Sequence, residues 1–397
     1  MILSEKKTEA AHQKHAQLAR PGLGHFARNE WAILGTPCGE IKALAFALTQ
    51  HLAGSFKVAY VDAEHKGADA EAETGKDPQT ALPWGAAMEY TDKISFSRFD
   101  FQAHFNEYQV KQLFSAQDLV LVNGNHFPAR NQIMVVDPRK PLEKKLHKLT
   151  NVHMIVLQHG VEEVPAYLRA HLAGDFDLLP VLKWSDTGAI AANLGGYMEA
   201  ATPPLKGLVL AGGQSARMKR DKGLIEYHGK AQREVMYEQL EQLGIPAWLS
   251  CREDQLNEMR GFRAIADSFT GLGPFGAILS AFREDPDAAW LVVACDLPFL
   301  SADSLRYLVE NRSASSVATA FQSSENEFPE PLIAIWEPRA YGALLHFLSL
   351  GYSCPRKVLI NSEIALLAAP SPHDLTNVNL PEEYQAALEK LRGKTQT

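Results

Sequence analysis

Residues 208–223 read LVLAGGQSARMKRDKG. An apolar run stops at two adjacent glycines, and four cations follow between Arg217 and Lys222. A buried strand that breaks into a glycine turn is how a Rossmann-like unit begins. Gly212 and Gly213 have no Cβ, so the turn can be sharp and its backbone N–H groups stay open to a ligand. Ser215 adds a hydroxyl donor, while Arg217 and Lys222 bring fixed positive charge. That combination suits a triphosphate, but on the glycines alone an ordinary strand–helix turn with a solvated basic face is the favoured reading, since short glycine motifs recur by chance.

Outward from this stretch the same rhythm repeats. After it come AWLS (247–250), WLVVA (290–294), SVATA (316–320) and LIAIW (332–336); before it stand WAIL (31–34), KVAYV (57–61), DLVLV (118–122), QIMVV (132–136) and HMIVL (153–157). Helical patterns fill the gaps, such as residues 233–243, stopped by Gly244, and the segment SADSLRYLVEN, which Ser301 can cap. Strands alternating with helices predict parallel sheets covered on both faces. The fold class is therefore α/β, with two Rossmann-like three-layer αβα domains in series. Between Asn193 and Lys206 the sequence NLGGYMEAATPPLK pairs two glycines with two prolines, which breaks regular structure. The expected division is a leader over 1–30, a first domain over 31–200 and a second over 201–397.

The bulk numbers agree with a folded, soluble chain. With 397 residues, 46% of them apolar and 22% charged, two domains are the natural expectation. A net charge of −8 argues against general nucleic-acid binding, which needs a basic face. No apolar stretch is long enough for a membrane span, the first 24 residues lack the apolar core of a secretory signal, and the four cysteines have no C-x-x-C spacing. A cytoplasmic protein with free thiols is expected.

In parallel sheets ligands sit outside the carboxyl ends of the strands. There, WLVVACDLP delivers Asp296, and FRAIAD delivers Asp267 ahead of glycines 271, 273 and 276. One carboxylate facing a phosphate cradle is what Mg²⁺ bound to a triphosphate needs. Asp267 could reach ribose or base, or could cap a turn.

These residues together resemble molybdenum cofactor guanylyltransferase. The resemblance rests on L-A-G-G-x-S-x-R-M-x-x-D-K (210–222), D-x-x-x-x-x-G-P (267–274), C-D-x-P (295–298), E-P-L-I-A (330–334) and N-x-N-x-P-E-E (377–383), in that order over residues 205–392. It implies a nucleotidyltransferase-type fold, GTP as donor, molybdopterin as acceptor and Mg²⁺ as cofactor. By the same resemblance Leu210, Ala211, Gly212 and Gly213 would contact the nucleotide. Lys222 would neutralise phosphates, Asp267 would fix the nucleoside, and Asp296 would bind GTP and the metal, which makes Lys222 and Asp296 the catalytic pair. Gly213, where related cytidylyltransferases have alanine, accords with guanine. Two positions depart from the pattern. Lys219 stands where the family has glycine, at a cost of roughly 1 kcal/mol or more if φ must be positive, and Leu249-Ser250-Cys251-Arg252 lacks the family's asparagine.

In the first domain, WAILGTPCGEIKAL has the setting of a phosphate loop without its residues. Counting from Gly35, Glu40 takes the place of the second glycine, Ile41 that of the lysine and Lys42 that of the hydroxyl residue. His65, Gly75-Lys76-Asp77 and Gly85-Ala86-Ala87 resemble the pattern after the second strand of the molybdopterin-guanine dinucleotide accessory GTP-binding protein, over residues 30–160. A fused accessory domain with a degenerate loop is implied, structural or dimer-forming first and nucleotide-binding second. His12 and His15 read as an exposed helical face and Asp118 as the start of a strand. Expected partners are GTP, molybdopterin, molybdoenzymes or their chaperones, and a second copy in a homodimer. The competing readings are another nucleotidyl transfer, for example cytidylyl transfer to a pterin or sugar phosphate, and a non-catalytic adaptor that holds the cofactor.

Overall fold

The structure is a computed structural model, and it describes residues 17–63, 80–212 and 222–394. These fall into two compact units, one over Gly22–Thr202 and the other carried by Pro203–Thr397.

In the first unit the strands are β1 (Glu30–Leu34), β2 (Val58–Val61), β5 (Leu119–Asn123), β6 (Asn131–Val136), β7 (Val152–Leu157) and β8 (Val181–Lys183), ordered β2-β5-β1-β6-β7-β8. Every pairing in this sheet is parallel. Strands β1 and β5 are buried along their whole length, which is why they read as unbroken apolar runs. Helices α1 (Cys38–Leu52) and α4 (Thr187–Ala200) cover one face through Ile41, Leu44, Leu48, Ile190 and Leu194. On the other face α3 (Ala166–His171) packs by Leu168, and Phe114 of α2 (Glu107–Phe114) lies near Phe26 and Ala27. Phe26 and Ala27 are buried in that core, ahead of the start expected at residue 31. Between β2 and α2 stands a separate antiparallel hairpin, β3 (Met88–Asp92) and β4 (Ser97–Phe101).

The second unit holds β9 (Leu205–Leu210), β10 (Ala247–Cys251), β11 (Ala264–Ala266), β12 (Ala289–Ala294), β13 (Ala318–Gln322), β14 (Pro329–Trp336) and β15 (Ile364–Leu367) in the order β11-β10-β9-β12-β14-β13-β15. One strand departs from the all-parallel expectation: β14 runs antiparallel to both β12 and β13. Periodicity sets which residues a strand buries, not the direction in which the chain enters the sheet, so the reversal left no mark in the apolar run. Helices α5 (Gln232–Gln242) and α7 (Ala302–Glu310) fill one face with Met236, Leu240, Leu305 and Leu308. The other carries α6 (Pro274–Glu284), α8 (Arg339–Ser349) and α9 (Pro355–Ile360), with Phe275, Phe282, Leu344 and Leu359 against Trp290 and Trp336. A last helix, α10 (Pro381–Lys394), closes the described chain.

The expected caps form. Ser301 Oγ accepts from the Ser304 N–H at 3.2 Å, and Gly244 adopts φ +76° just after α5. Gly271 and Gly273 take φ +77° and +57°, and Pro274 then opens α6 at a position where a missing N–H costs nothing. No helix among the described residues is long and apolar enough to cross a membrane. All four cysteines are free thiols.

Candidate functional site

The register of the second sheet puts four strand ends in one row. Leu210 of β9 pairs with Ser250 of β10 on one side and Ala294 of β12 on the other, and Cys251 of β10 pairs with Ala266 of β11. The residues just beyond these ends therefore emerge side by side: Asp267, Arg252, Ala211-Gly212 and Asp296. At about 4.8 Å per strand, Asp267 and Asp296 leave the sheet roughly 14 Å apart with the glycine turn between them. An extended nucleoside triphosphate spans that distance.

Gly212 is fixed by close approach to its neighbour. A Cβ there would stand 3.1 Å from Cys251 Cα and 3.2 Å from Arg252 N, so any side chain would push the turn off the end of β10. Arg252 holds the same turn from the other side, its Nη1 donating to the Gly212 carbonyl at 2.9 Å and its Nε to Asp254 at 3.1 Å. Leu210 is half-buried and Ala211 buried, with the Ala211 N–H donating to the Ser250 carbonyl at 2.9 Å. Gly213, Ser215 and Arg217, with Lys219, lie outside the described residues. Lys222 begins a short 3₁₀ turn that runs to Leu224, and its side chain too lies outside the description.

Asp267 is held by the end of β10. Ser250 Oγ donates to its Oδ1 at 2.7 Å, and its own N–H donates to the Cys251 carbonyl at 2.8 Å. Burial pushes its carboxyl above the ordinary carboxylate range, and the Ser250 hydrogen bond and the Arg252 charge offset only part of that. Ser250 occupies the stretch where the related asparagine is missing, and here it serves the carboxylate. Cys251 is fully buried, and burial lifts its thiol to about 11, so it is an inert packing group.

Asp296 is half-buried at the end of β12. Its carbonyl accepts from the Val378 N–H at 2.9 Å, which brings the Asn377–Asn379 segment against the strand end. The two asparagines, with Asp296, Glu330 and Arg356, line a cavity of 160 Å³. Arg356 pairs with Glu330 at 3.1 Å on its wall. Among the described residues no cluster of three or more His, Cys, Asp or Glu side chains could cage a metal alone. A single half-buried carboxylate beside a phosphate turn fits Mg²⁺, which keeps several waters and completes its shell with phosphate oxygens.

Reading strand ends singled out Asp267 and Asp296 and passed over Arg252. Its signal was the same one: it is the first residue after β10, at the carboxyl edge where ligands bind.

The first unit also presents polar residues at its strand ends, but they engage one another. Arg139 donates to both oxygens of Asp137, at 2.8 Å from Nη2 to Oδ2, and its Nη1 lies 3.0 Å from Glu40 Oε1. Against the burial that would raise it, the Arg139 and Thr36 hydrogen bonds hold the Asp137 carboxyl below its usual range. Glu40, at the position counted as the second loop glycine, thus sits on a cation. Asp118 accepts from the Lys57 N–H at 2.8 Å and starts its strand as expected. Gly85 turns at φ +98° to close the Leu82–Trp84 turn. His12, His15, His65 and Gly75-Lys76-Asp77 lie outside the described residues.

Residues 207–364 match the family described as the MobA-like NTP transferase domain. A "Molybdenum cofactor biosynthesis bifunctional protein" of Synechocystis sp. is 31% identical over 192 residues, 48% of this chain and 55% of that protein. The chain thus spans little more than half the length of that relative. A "Molybdenum cofactor guanylyltransferase" of Shewanella sp. is 30% identical over 185 residues, which is 45% of this chain and 92% of the relative. Among solved structures, molybdopterin-guanine dinucleotide biosynthesis protein A from Archaeoglobus fulgidus aligns with a TM-score of 0.41 at 22% identity, over 47% of this chain and 99% of that one.

Proposed function

The chain belongs, through its C-terminal unit, to the molybdenum cofactor guanylyltransferase family, and from that premise we propose that it transfers GMP from GTP to molybdopterin. The terminal phosphate oxygen of molybdopterin attacks the α-phosphorus of GTP in line, one P–O bond forms, and the bond to the departing pyrophosphate breaks. No protein nucleophile is needed; position and charge carry the reaction.

The observation that carries this reading is the row of strand ends, with a glycine turn between two carboxylates. In it the backbone of Leu210, Ala211, Gly212 and Gly213 lines the guanine nucleotide. Arg252 keeps the turn seated on β10. Asp267 accepts from the nucleoside, and Ser215, Arg217 and Lys222 supply donors and charge to the phosphates. Asp296 would hold Mg²⁺. The bound ion supplies charge stabilisation to the transferring and departing oxygens. Asn377 and Asn379 line the cavity beside Asp296.

For the remaining chain we read the domain expected over 31–200, which lies within the first unit, as an accessory domain resembling the GTP-binding accessory protein, its phosphate loop degenerate. The Glu40–Arg139 pair supports a structural rather than nucleotide-binding role. The leader over 1–30 and the transferase domain over 201–397 complete that division. The cytoplasm is the compartment we assign, with molybdoenzymes or their chaperones as recipients and a homodimer as the assembly.

Thermal unfolding of the whole chain with each nucleoside triphosphate plus Mg²⁺ tests the donor. A ligand at 100 times its Kd stabilises by roughly 2.7 kcal/mol. GTP should raise the transition of the C-terminal unit and CTP should not; a larger shift with CTP would overturn the guanine assignment.

A further inference from the structure

The carboxyl edge of the first sheet brings a thiol and an imidazole together. Ile33 of β1 pairs with Asn123 of β5, Val61 of β2 with Val122 of β5, and Leu34 of β1 with Met134 of β6, so four strand ends lie in a row. Just beyond them come Cys38, Asp62, His126 and Lys140, at the edge where parallel sheets take their ligands.

Cys38 opens α1, and its Sγ lies 3.4 Å from His126 Nε2. Asn125 Nδ2 donates to the same sulfur at 3.3 Å and to the Thr36 carbonyl at 3.1 Å, which holds the amide over the thiol. The fifteen residues of α1 direct the positive end of their dipole at this sulfur, and the N-cap, Pro37, supplies no side chain to neutralise it. Beside His126 stands Asp62, which accepts from the Tyr60 hydroxyl at 2.6 Å and from Asn123 Nδ2 at 2.7 Å. Against the burial that would raise it, those bonds, the Ala63 N–H and the nearby imidazole hold the Asp62 carboxyl below its usual range. A thiol, a base within hydrogen-bond reach and a carboxylate near that base form an activated nucleophile. Among the described residues no set of three His, Cys, Asp or Glu side chains could hold a metal, so the pair reads as nucleophile and base rather than as ligands.

The surrounding charge selects the reactant. Burial pushes the Lys140 ammonium below its ordinary range while the Cys38 sulfur works against that, so the two groups lie close. Lys145 and Lys148 stand near the same ammonium, and Lys148 Nζ donates to the Asn125 carbonyl at 3.2 Å. The acids on that side, Asp137 and Glu40, are already engaged by Arg139. A positive crevice draws an anionic reactant. Access is open, since Gly39 is exposed and a Cβ there would meet nothing within 4 Å.

We propose that Cys38 is a nucleophilic thiol, with His126 as its base, that exchanges with small anionic disulfides of the glutathione type. The Sγ proton passes to His126 Nε2, Sγ forms a bond to one sulfur of the disulfide, and the disulfide's own S–S bond breaks. The departing thiolate takes the proton from His126. Cys38 is thereby oxidised to a mixed disulfide, and the other half of the reagent is reduced to a thiol.

Oxidised glutathione added to the whole chain at pH 7, followed by intact mass and peptide mapping, tests the proposal. Cys354 is exposed where Cys38 is half-buried, so it serves as the internal control. Cys38 should nevertheless take up glutathione about tenfold faster than Cys354. Cystamine, a cationic disulfide, should lose that preference for Cys38. His126→Gln should slow Cys38 by about tenfold and leave Cys354 unchanged. At about pH 9, where an ordinary thiol ionises without a base, iodoacetamide should alkylate Cys38 equally fast in both proteins. Four results would each overturn the proposal: Cys354 reacting first, Cys38 favouring cystamine, His126→Gln as fast as the unaltered chain at pH 7, or that variant still slow at pH 9.

Discussion

Gly212→Ala tests how tightly the nucleotide turn is registered on the sheet. Gly212 does not have positive φ, so alanine meets no backbone strain there, and the whole effect comes from contact. The added Cβ would stand 3.1 Å from Cys251 Cα, 3.2 Å from Arg252 N and 3.3 Å from Cys251 C. All three are backbone atoms at the carboxyl end of β10, so the turn must yield by a few tenths of an ångström. A misplacement of about 1 Å in a positioned site can cost on the order of 10²-fold. A shift of 0.3–0.5 Å therefore corresponds to about 4- to 10-fold in kcat/KM for GTP, or about 0.8–1.4 kcal/mol of transition-state stabilisation. The Arg252 hydrogen bond to the Gly212 carbonyl lengthens with it. Stability should fall by no more than about 1 kcal/mol, the low end for an overpacked contact. The assay is pyrophosphate release at varied GTP, alongside a melting curve. Gly342→Ala is the control, since a Cβ at Gly342 meets nothing within 4 Å; in the middle of α8 it should stabilise and leave turnover alone. A Gly212→Ala enzyme with unchanged kcat/KM would refute the view that contact with β10 sets the turn.

Asp267→Asn separates binding from stability. Because burial holds the folded carboxyl above its unfolded value, the folded chain binds that proton more tightly, and wild-type stability falls as pH rises through the window above about 4. The variant should melt higher than wild type at pH 7, converge with it near pH 4, and bind GTP more weakly; a lower melting point at pH 7 would contradict the sign. Arg312 forms two hydrogen bonds to the fully buried Glu337, at 2.7 and 2.9 Å, and a third to the Pro203 carbonyl. Arg312→Met should cost about 3–5 kcal/mol by removing this buried bidentate pair, or about 6–20 °C in Tm for a unit of this size; differential scanning calorimetry reads it, and Arg312→Met/Glu337→Gln should recover part of the loss.

The main strands of both sheets were legible because buried parallel strands are written as short runs of Val, Ile, Leu and Ala between glycines and prolines. β8 and β15, strands of three and four residues at the sheet edges, were not. The β3–β4 hairpin escaped for another reason: its alternation is clear in MEYTD and SRFDF, but its apolar face does not join either core. The reversal of β14 depends on which neighbours accept it, a tertiary fact. At the site, Asp296 and Asp267 could be read because a carboxylate just after an apolar run is conspicuous. Arg252 carried the same strand-end signal, but its contact with a backbone carbonyl forty positions earlier was not legible, because only the β9–β10 register brings the two together. The Glu40–Arg139 pair was not legible, because Arg139 lies a hundred residues away beyond the neighbouring strand end.

The central claim is GMP transfer at the carboxyl edge of β9 and β12, with Asp296 carrying the metal and the triphosphate. The most direct measurement is pyrophosphate release by the whole chain supplied with GTP, Mg²⁺ and molybdopterin, compared with the same reaction of Asp296→Asn. The variant should keep its melting point and lose turnover by on the order of 10² or more. Guanylyl transfer unchanged in Asp296→Asn, with the metal and GTP both present, would contradict the claim.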